Sequence, residues 1–231
     1  PRPALRLVQR TIGDIRMRFS HAPHEDVTDK MADFCLSYLS GLDTLSGFIV
    51  CAKSPSCGME RVRLYDEKGN RGRKDGVGVF TAALMEKYPW LPVEEDGRLH
   101  DPVLRENFVE RVFALHELHT LCKNGLTRRA LLNFHSRYKL QLLAHHQAGY
   151  REIGPFVASL HEWDDLEAFF AVYRDKLMTI LKKPASRKNH TNVLMHIQGY
   201  FRNQLTMRQR GELREVILNY RAGILPILAP M

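Results

Sequence analysis

The sequence predicts a partial α/β N-terminal domain followed by an all-α helical domain, with helix dominating overall. Three observations predict it. Up to about residue 100, short apolar runs alternate with turn signals; from Leu104 on, nearly every stretch has helical spacing; and the charge divides along the same line. Residues 1–120 hold 17 Lys+Arg against 18 Asp+Glu, net −1, whereas residues 121–231 hold 17 against 8, net +9. A chain of 231 residues, 44% hydrophobic and 26% charged, can bury one large or two modest cores. No run approaches the roughly 18–20 apolar residues of a membrane helix. Four cysteines are too few for a disulfide framework, so a reducing, cytoplasmic setting is expected. The opening PRPALR is no signal peptide, and a start at Pro1 without methionine reads as a piece of a longer protein.

Taken in order, residues 4–8 (ALRLV) predict a short strand. Thr28 is placed to cap a helix whose apolar face is Met31, Phe34, Cys35, Tyr38 and Leu39, spaced by threes and fours. Residues 48–52 (FIVCA) form a continuous apolar run suited to a strand buried on both faces. Pro55 and Gly58 stop that strand, so residues 53–58 (KSPSCG) are a tight polar loop. A loop after a buried strand is where open α/β sheets place their chemistry. Residues 66–78 (DEKGNRGRKDGVG) predict a charged, glycine-laden loop, and residues 80–88 a helix. YPWLP (88–92) and the acidic EEDG (94–97) close this half. The boundary is placed at residues 98–102, giving domains 1–102 and 103–231.

Beyond it, Leu104, Phe108, Val112, Leu115 and Leu118 share one helical face, and Gly125 ends that element. Thr127 caps the next helix, which carries Leu131, Phe134, Tyr138 and Leu142. Asp164 and Asp165 suit the positive end of another, and Lys182 and Lys183 its negative end. Ser186 starts a helix expected to run to Leu205, and Thr206 to Gln209 has capping-box spacing before the last. The apolar tail, residues 224–228, is expected to pack as an irregular arm.

Chemistry concentrates at residues 53–58. Cys57 follows two hydroxyls and a proline, with the Lys53 cation close in sequence. Such a sulfur serves as nucleophile or metal ligand, or lies inert as a small buried thiol. Cys35, Cys51 and Cys122 read as core. Three further candidates for metal, His116, His119 and Cys122, fall at i, i+3 and i+6. The zincin pattern that His116-Glu117 begins needs its second histidine four positions on, so these histidines read as surface or core.

Gly47-Phe48-Ile49 followed by Lys53-Ser54-Pro55-Ser56-Cys57-Gly58 resembles the signature of the 2-thiouracil desulfurase (TudS) family. Pro1-Arg2-Pro3, Asp26 with Thr28, and residues 76–80 (GVGVF) are similar to further family segments. The C-terminal half resembles the helical domain fused behind TudS in RudS-type tRNA 4-thiouridine desulfidases, through residues 134–139 (FHSRYK), 150–154 (YREIG), 199–201 (GYF) and Tyr220-Arg221. This resemblance implies a 4Fe-4S cluster held by three cysteines, with the open iron polarising the C–S bond of a thiolated uracil while water attacks and hydrosulfide leaves. It makes Cys57 one cluster ligand, and Lys53, Ser54 and Ser56 the residues that position water, substrate or cluster. It places the other two ligand cysteines upstream of this chain, so the chain as numbered is expected to be inactive although its parent is an enzyme.

The basic half makes tRNA a natural partner. Lys182, Lys183, Arg187 and Lys188 cluster at a helix junction, and Arg202, Arg208 and Arg210 follow, all able to meet phosphates. The loop cations Lys68, Arg71, Arg73 and Lys74 are a second phosphate candidate or a mobile surface. Tyr200 and Phe201 read either as core at helical spacing or as platforms for an unstacked base. His135, His190 and His196 bind phosphate or nothing. The leading expectation is an iron–sulfur desulfidase acting on 4-thiouridine in tRNA. The alternatives are a non-catalytic RNA-binding or accessory module, and a desulfurase of free thiouracil whose helical domain serves oligomerisation.

Overall fold

The computed structural model describes residues 3–22 and 24–231; Pro1 and Arg2, at the start of the proline-arginine segment, and Pro23 lie outside them. The chain divides into two compact units, residues 1–119 and 120–231.

In the first unit, residues 4–8 belong to a longer strand, β1 (Leu5–Thr11). It turns at Ile12 and Gly13, the latter at φ 89, into an antiparallel β2 (Asp14–Phe19) that apolar spacing did not signal. Helix α1 (Thr28–Leu39) begins on Thr28 and is not capped by it. The Asp26 carboxylate accepts the Thr28 N–H at 2.9 Å and its hydroxyl at 2.5 Å, while Thr28 Oγ1 accepts the Met17 N–H at 2.8 Å. The threonine therefore ties α1 to β2, and the aspartate takes the first amide of the helix from two residues before it. Of the expected apolar face, Cys35 and Leu39 are buried, while Phe34 and Tyr38 are about half exposed and stack on each other.

Strand β3 (Phe48–Val50) is shorter than the apolar run, which extended to residue 52. The Asp96 carboxylate takes the Ala52 N–H at 3.2 Å, and Lys53 turns to φ 60, so the ladder cannot continue. Ile49 is 55% exposed and Cys51 is exposed, so this strand is not buried on both faces and Cys51 is not core. Short β4 (Leu64–Tyr65) lies parallel to β1, giving the order β2-β1-β4 over a core of Leu7, Met17, Val62 and Leu64. Helix α2 (Val79–Lys87) sets Phe80 among Phe34, Tyr38 and Phe48, with ring centroids 5.7–6.3 Å apart. Strand β5 (Val93–Glu95) runs parallel to β3, pairing Val50 with Glu95. Residues 94 and 95, from the acidic stretch that closes this half, are buried in this strand, at 8% and 2% exposure.

Pro102 opens α3 (Pro102–Lys123), a first-turn position where its missing N–H costs nothing. The division between the two compact units falls inside this helix. Phe108, Leu115 and Leu118 are buried on the face the spacing marked.

In the second unit, α4 (Arg128–His145) is capped by Thr127, whose side chain accepts the Ala130 N–H. Helix α5 (Gln147–Ala158), capped by His146, follows at once. Asp165 accepts from Glu167 and Ala168 at the start of α6 (Leu166–Leu181), and Ser186 from Asn189 at the start of α7 (Arg187–Tyr200). The last of these ends five residues before Leu205, in successive turns. A full Thr206–Gln209 capping box opens α8 (Met207–Ala222), which Gly223 closes at φ 83. Buried Leu194, Ile217 and Tyr220 join α7 to α8, and Ile227 of the tail packs against them.

Candidate active site

The polar loop, residues 53–58, leaves the C-terminal end of β3 and is held by the first turn of α2. The α2 amides of Val79 and Phe80 donate to the carbonyls of Pro55 and Ser56 at 3.1 and 2.9 Å, and Thr81 Oγ1 donates to the Cys57 carbonyl at 2.7 Å. Amides that a helix end leaves without partners thus go to the loop. The Gly78 N–H donates to the Gly58 carbonyl at 2.7 Å. A Cβ on Gly78 would stand 2.5 Å from the Ser56 carbonyl carbon and oxygen and 2.6 Å from the Cys57 nitrogen, so only glycine permits this approach.

Within the loop, Ser54, Ser56 and Cys57 meet. Ser54 Oγ accepts the Cys57 N–H at 3.2 Å and lies 3.1 Å from Ser56 Oγ, which is 3.2 Å from Cys57 Sγ. Because Ser54 Oγ already accepts, its hydroxyl is free to donate to Ser56, and Ser56 in turn to sulfur. Ser54, Ser56 and Cys57 are all half-buried; Lys53 is exposed, on left-handed backbone, and has no hydrogen bond to the other three.

Glu95 supports the loop from β5. Its Oε1 accepts the Met59 and Glu60 amides at 3.0 and 3.4 Å, and its Oε2 lies 3.6 Å from Arg61, a second residue on left-handed backbone. Glu60 pairs with Arg61 at 2.9 Å and with Arg98 at 2.7 Å, and Arg98 also holds Glu94 at 2.7 Å. Burial pushes the Arg111 guanidinium down to about 10 against the pull of Glu94. Sequence reading missed Glu95, Thr81 and Gly78 as site residues. The available signal was the Glu94-Glu95 pair directly after the apolar Val93, which does not read as a strand because acids are seldom fully buried.

The cluster implied by the resemblance needs three thiolates. Cys57 fits as one ligand: its sulfur is half-buried on a pinned loop and faces hydroxyl donors. Among the described residues no three His, Cys, Asp or Glu side chains gather as a metal site, Cys35 is buried and Cys51 is exposed. Burial, with Glu167, pushes the Cys122 thiol up to about 11. The described residues therefore furnish one ligand and do not complete the set.

In the helical unit, Lys182, Lys183, Arg187, Lys188 and Arg202 are all exposed. Lys183 Nζ lies 2.8 Å from His146 Nε2, and the Arg187 guanidinium sits 5.9 Å from the Tyr220 ring centroid. Arg208 is tied to Glu212 at 2.9 Å. Tyr200 and Phe201 are 63% and 44% exposed, so they are not core. His135 and His190 hydrogen-bond the Tyr173 and Tyr220 hydroxyls at 3.1 and 2.7 Å. His119 packs edge-on against Trp90.

The family model for 2-thiouracil desulfurase matches residues 1–96, which contain the whole pinned loop and the glutamate beneath it. Residues 1–96 are a domain of the 2-thiouracil desulfurase family. A second model, DUF1722, described as a protein of unknown function, matches residues 139–231, so this desulfurase domain is joined to a DUF1722 domain. Uncharacterized protein YbgA of Escherichia coli (strain K12) is 52% identical over 121 residues, covering 52% of this chain and 72% of YbgA. No solved structure matches the chain. The N-terminal part is thus of the desulfurase type, whose reaction is cleavage of a C–S bond in a thiolated uracil. No helix among the described residues is long and apolar enough to cross a membrane.

Proposed function

We propose that residues 53–58 form the catalytic centre of a desulfidase acting on 4-thiouridine in tRNA. Cys57 is one ligand of a 4Fe-4S cluster whose other two thiolates come from outside residues 3–231, and the helical unit holds the RNA. The observation that carries the reading is the hydrogen-bonded row of Ser54, Ser56 and Cys57 on a loop fixed by α2 and Glu95. A bound cluster supplies a Lewis-acidic iron for the thiocarbonyl sulfur.

The chain's own residues do the rest. Overall, the oxygen of water bonds to the ring carbon, the C–S bond breaks, and sulfur leaves as hydrosulfide with no net electron transfer. One proton of water goes to the departing sulfur and the other to solvent. The two serine hydroxyls, 3.1 Å apart, give a proton a path along the loop, and Ser56 directs its hydroxyl at Cys57 Sγ. Lys53 sets a cation at the exposed edge of the loop.

RNA binding is supported by the position of the cations. Arg187 and Lys188 sit in the first turn of α7, where a positive helix end disfavours them by about 0.3–1 kcal/mol each. Phosphates drawn between them and Lys182 and Lys183 offset that cost. Exposed Tyr200 and Phe201 offer ring faces to an unstacked base.

The test is hydrosulfide release by the cluster-reconstituted full-length protein from 4-thiouridine tRNA, 4-thiouridine nucleoside and free thiouracil. Fastest turnover on tRNA is expected, with none in Cys57→Ala and roughly 10²-fold slower release in Ser54→Ala or Ser56→Ala. Turnover retained by Cys57→Ala overturns the site. Equal turnover on free thiouracil assigns that base as substrate, and tRNA binding without turnover of any substrate assigns a binding module.

A further inference from the structure

An eight-residue pattern occurs twice, twelve positions apart: MHIQGYFR at residues 195–202 and MRQRGELR at 207–214, sharing methionine first, a long amide or guanidinium fourth, glycine fifth and arginine eighth. The first copy fills the last turns of α7 and the turn beyond, and the second opens α8. Positions i, i+3, i+4 and i+7 share one helix face. In the structure all four shared positions of both copies line a single groove of 390 Å³ between the two helices.

Three features of this groove point to a ligand. Arg202, Arg210 and Arg214 meet in it, no carboxylate lines it, and none of the three arginines forms an ion pair among the described residues. Their neighbour Arg208 lies outside the groove and is paired with Glu212. The Nε of Arg210 is buried without a hydrogen-bond acceptor among the described residues. Finally, a Cβ at Gly199 or Gly211 would meet nothing within 4 Å, so the two glycines keep the floor open. The groove is stitched shut at its base, where Gln198 Nε2 donates to the Arg210 carbonyl at 2.7 Å.

Three guanidinium groups gathered without a counter-charge repel one another, and the N-terminal end of α8 adds to the positive field. The group that relieves this best is a tetrahedral oxyanion, whose paired oxygens match the guanidinium fork. We propose that the α7–α8 groove is a phosphoryl-binding site, taking a phosphate of the RNA backbone or the terminal phosphate of a free nucleotide between Arg202, Arg210 and Arg214. The site stands on the helical unit alone and does not depend on desulfidation, so its test reads binding only.

The experiment uses the full chain, with tRNA in salt-titrated binding and inorganic pyrophosphate in calorimetry as probes. In the Arg210→Gln/Arg214→Gln double variant, tRNA affinity is expected to fall at least tenfold and the slope of log K against log salt to shrink by about 1–2. Gly211→Leu, which keeps every charge and fills the groove, is expected to lose affinity comparably; Arg129→Gln, at an exposed cation on α4, is expected to lose no more than twofold. Circular dichroism checks that each variant keeps its helices, and Gly199→Leu replaces Gly211→Leu if the latter unfolds. Pyrophosphate bound by the wild type and lost in the double variant marks a site open to free phosphates. A tRNA loss in the groove variants without pyrophosphate binding marks a site for the RNA backbone. Equal losses in Arg129→Gln and in the double variant, full affinity in a folded groove-filling variant, or no binding of either probe overturns the proposal.

Discussion

Replacing Gly78 by alanine isolates what holds the catalytic loop. The backbone of Gly78, φ −62 and ψ 139, is one that alanine adopts freely, so the substitution tests contact and not strain. The new methyl would stand 2.5 Å from two backbone atoms of Ser56, and relief to an ordinary 3.4 Å separation requires a shift of about 0.9 Å. The loop cannot slide that far and keep its bonds to Gly78, Val79, Phe80 and Thr81. Losing two of them at about 1 kcal/mol each, plus about 1–3 kcal/mol of overpacking, comes to about 3–5 kcal/mol. The lower entropy of the unfolded chain returns about 0.4–1 kcal/mol. The net destabilisation of about 2–4.6 kcal/mol is read by thermal melting, and the loss of site geometry by hydrosulfide release. Gly97→Ala, whose Cβ would meet nothing within 4 Å, is the control and is expected to melt near the wild type. A Gly78→Ala protein that melts within about 0.5 kcal/mol of wild type and desulfidates normally would refute the docking of the loop on α2.

Three more outcomes are expected. Burial alone would raise the Asp26 carboxyl, but hydrogen bonds from the Thr28 side chain and backbone, with Arg16 and Arg18, hold it below its ordinary value. Its contribution is therefore complete above the ordinary aspartate range, near pH ~4, and is lost as pH falls through the depressed value; Asp26→Asn should flatten the acid limb of a stability–pH curve. Burial, and then Lys139, lowers the His135 imidazole, so the unfolded chain binds its proton first. The helical unit should lose stability as pH falls below about 6.5, a loss that His135→Gln removes in pH-dependent melts. A maleimide probe followed by mass spectrometry should label exposed Cys51 well before buried Cys35, and early labelling of Cys35 would contradict the packing of α1.

What the sequence revealed follows from how local each determinant is. The caps at Thr127, Asp165, Ser186 and Thr206 lie within three residues of the amides they serve, and all were legible. The loop that contains Cys57 was legible for the same reason, since strand, proline and glycine are contiguous. Glu95 was not, because its partners Met59 and Glu60 are remote in sequence and only the parallel pairing of β3 with β5 brings them under it. Strand β2 escaped because its alternating arginines, Arg16 and Arg18, hide the single buried Met17. Tyr200 and Phe201 misled in the opposite direction, since spacing cannot say that a helix ends at residue 200 and turns its rings outward.

The three-residue pairing of β3 with β5 has a consequence for biosynthesis. The sulfur-bearing loop leaves the ribosome about 40 residues before the strand that clamps it, a delay of roughly 2–8 s at ordinary elongation rates. The β1–β2 hairpin closes locally in microseconds, whereas the loop must wait for Glu95 to be translated. A nascent chain stalled before residue 93 therefore exposes Cys57 unsupported, which makes that interval the one in which its thiol is most open to oxidation.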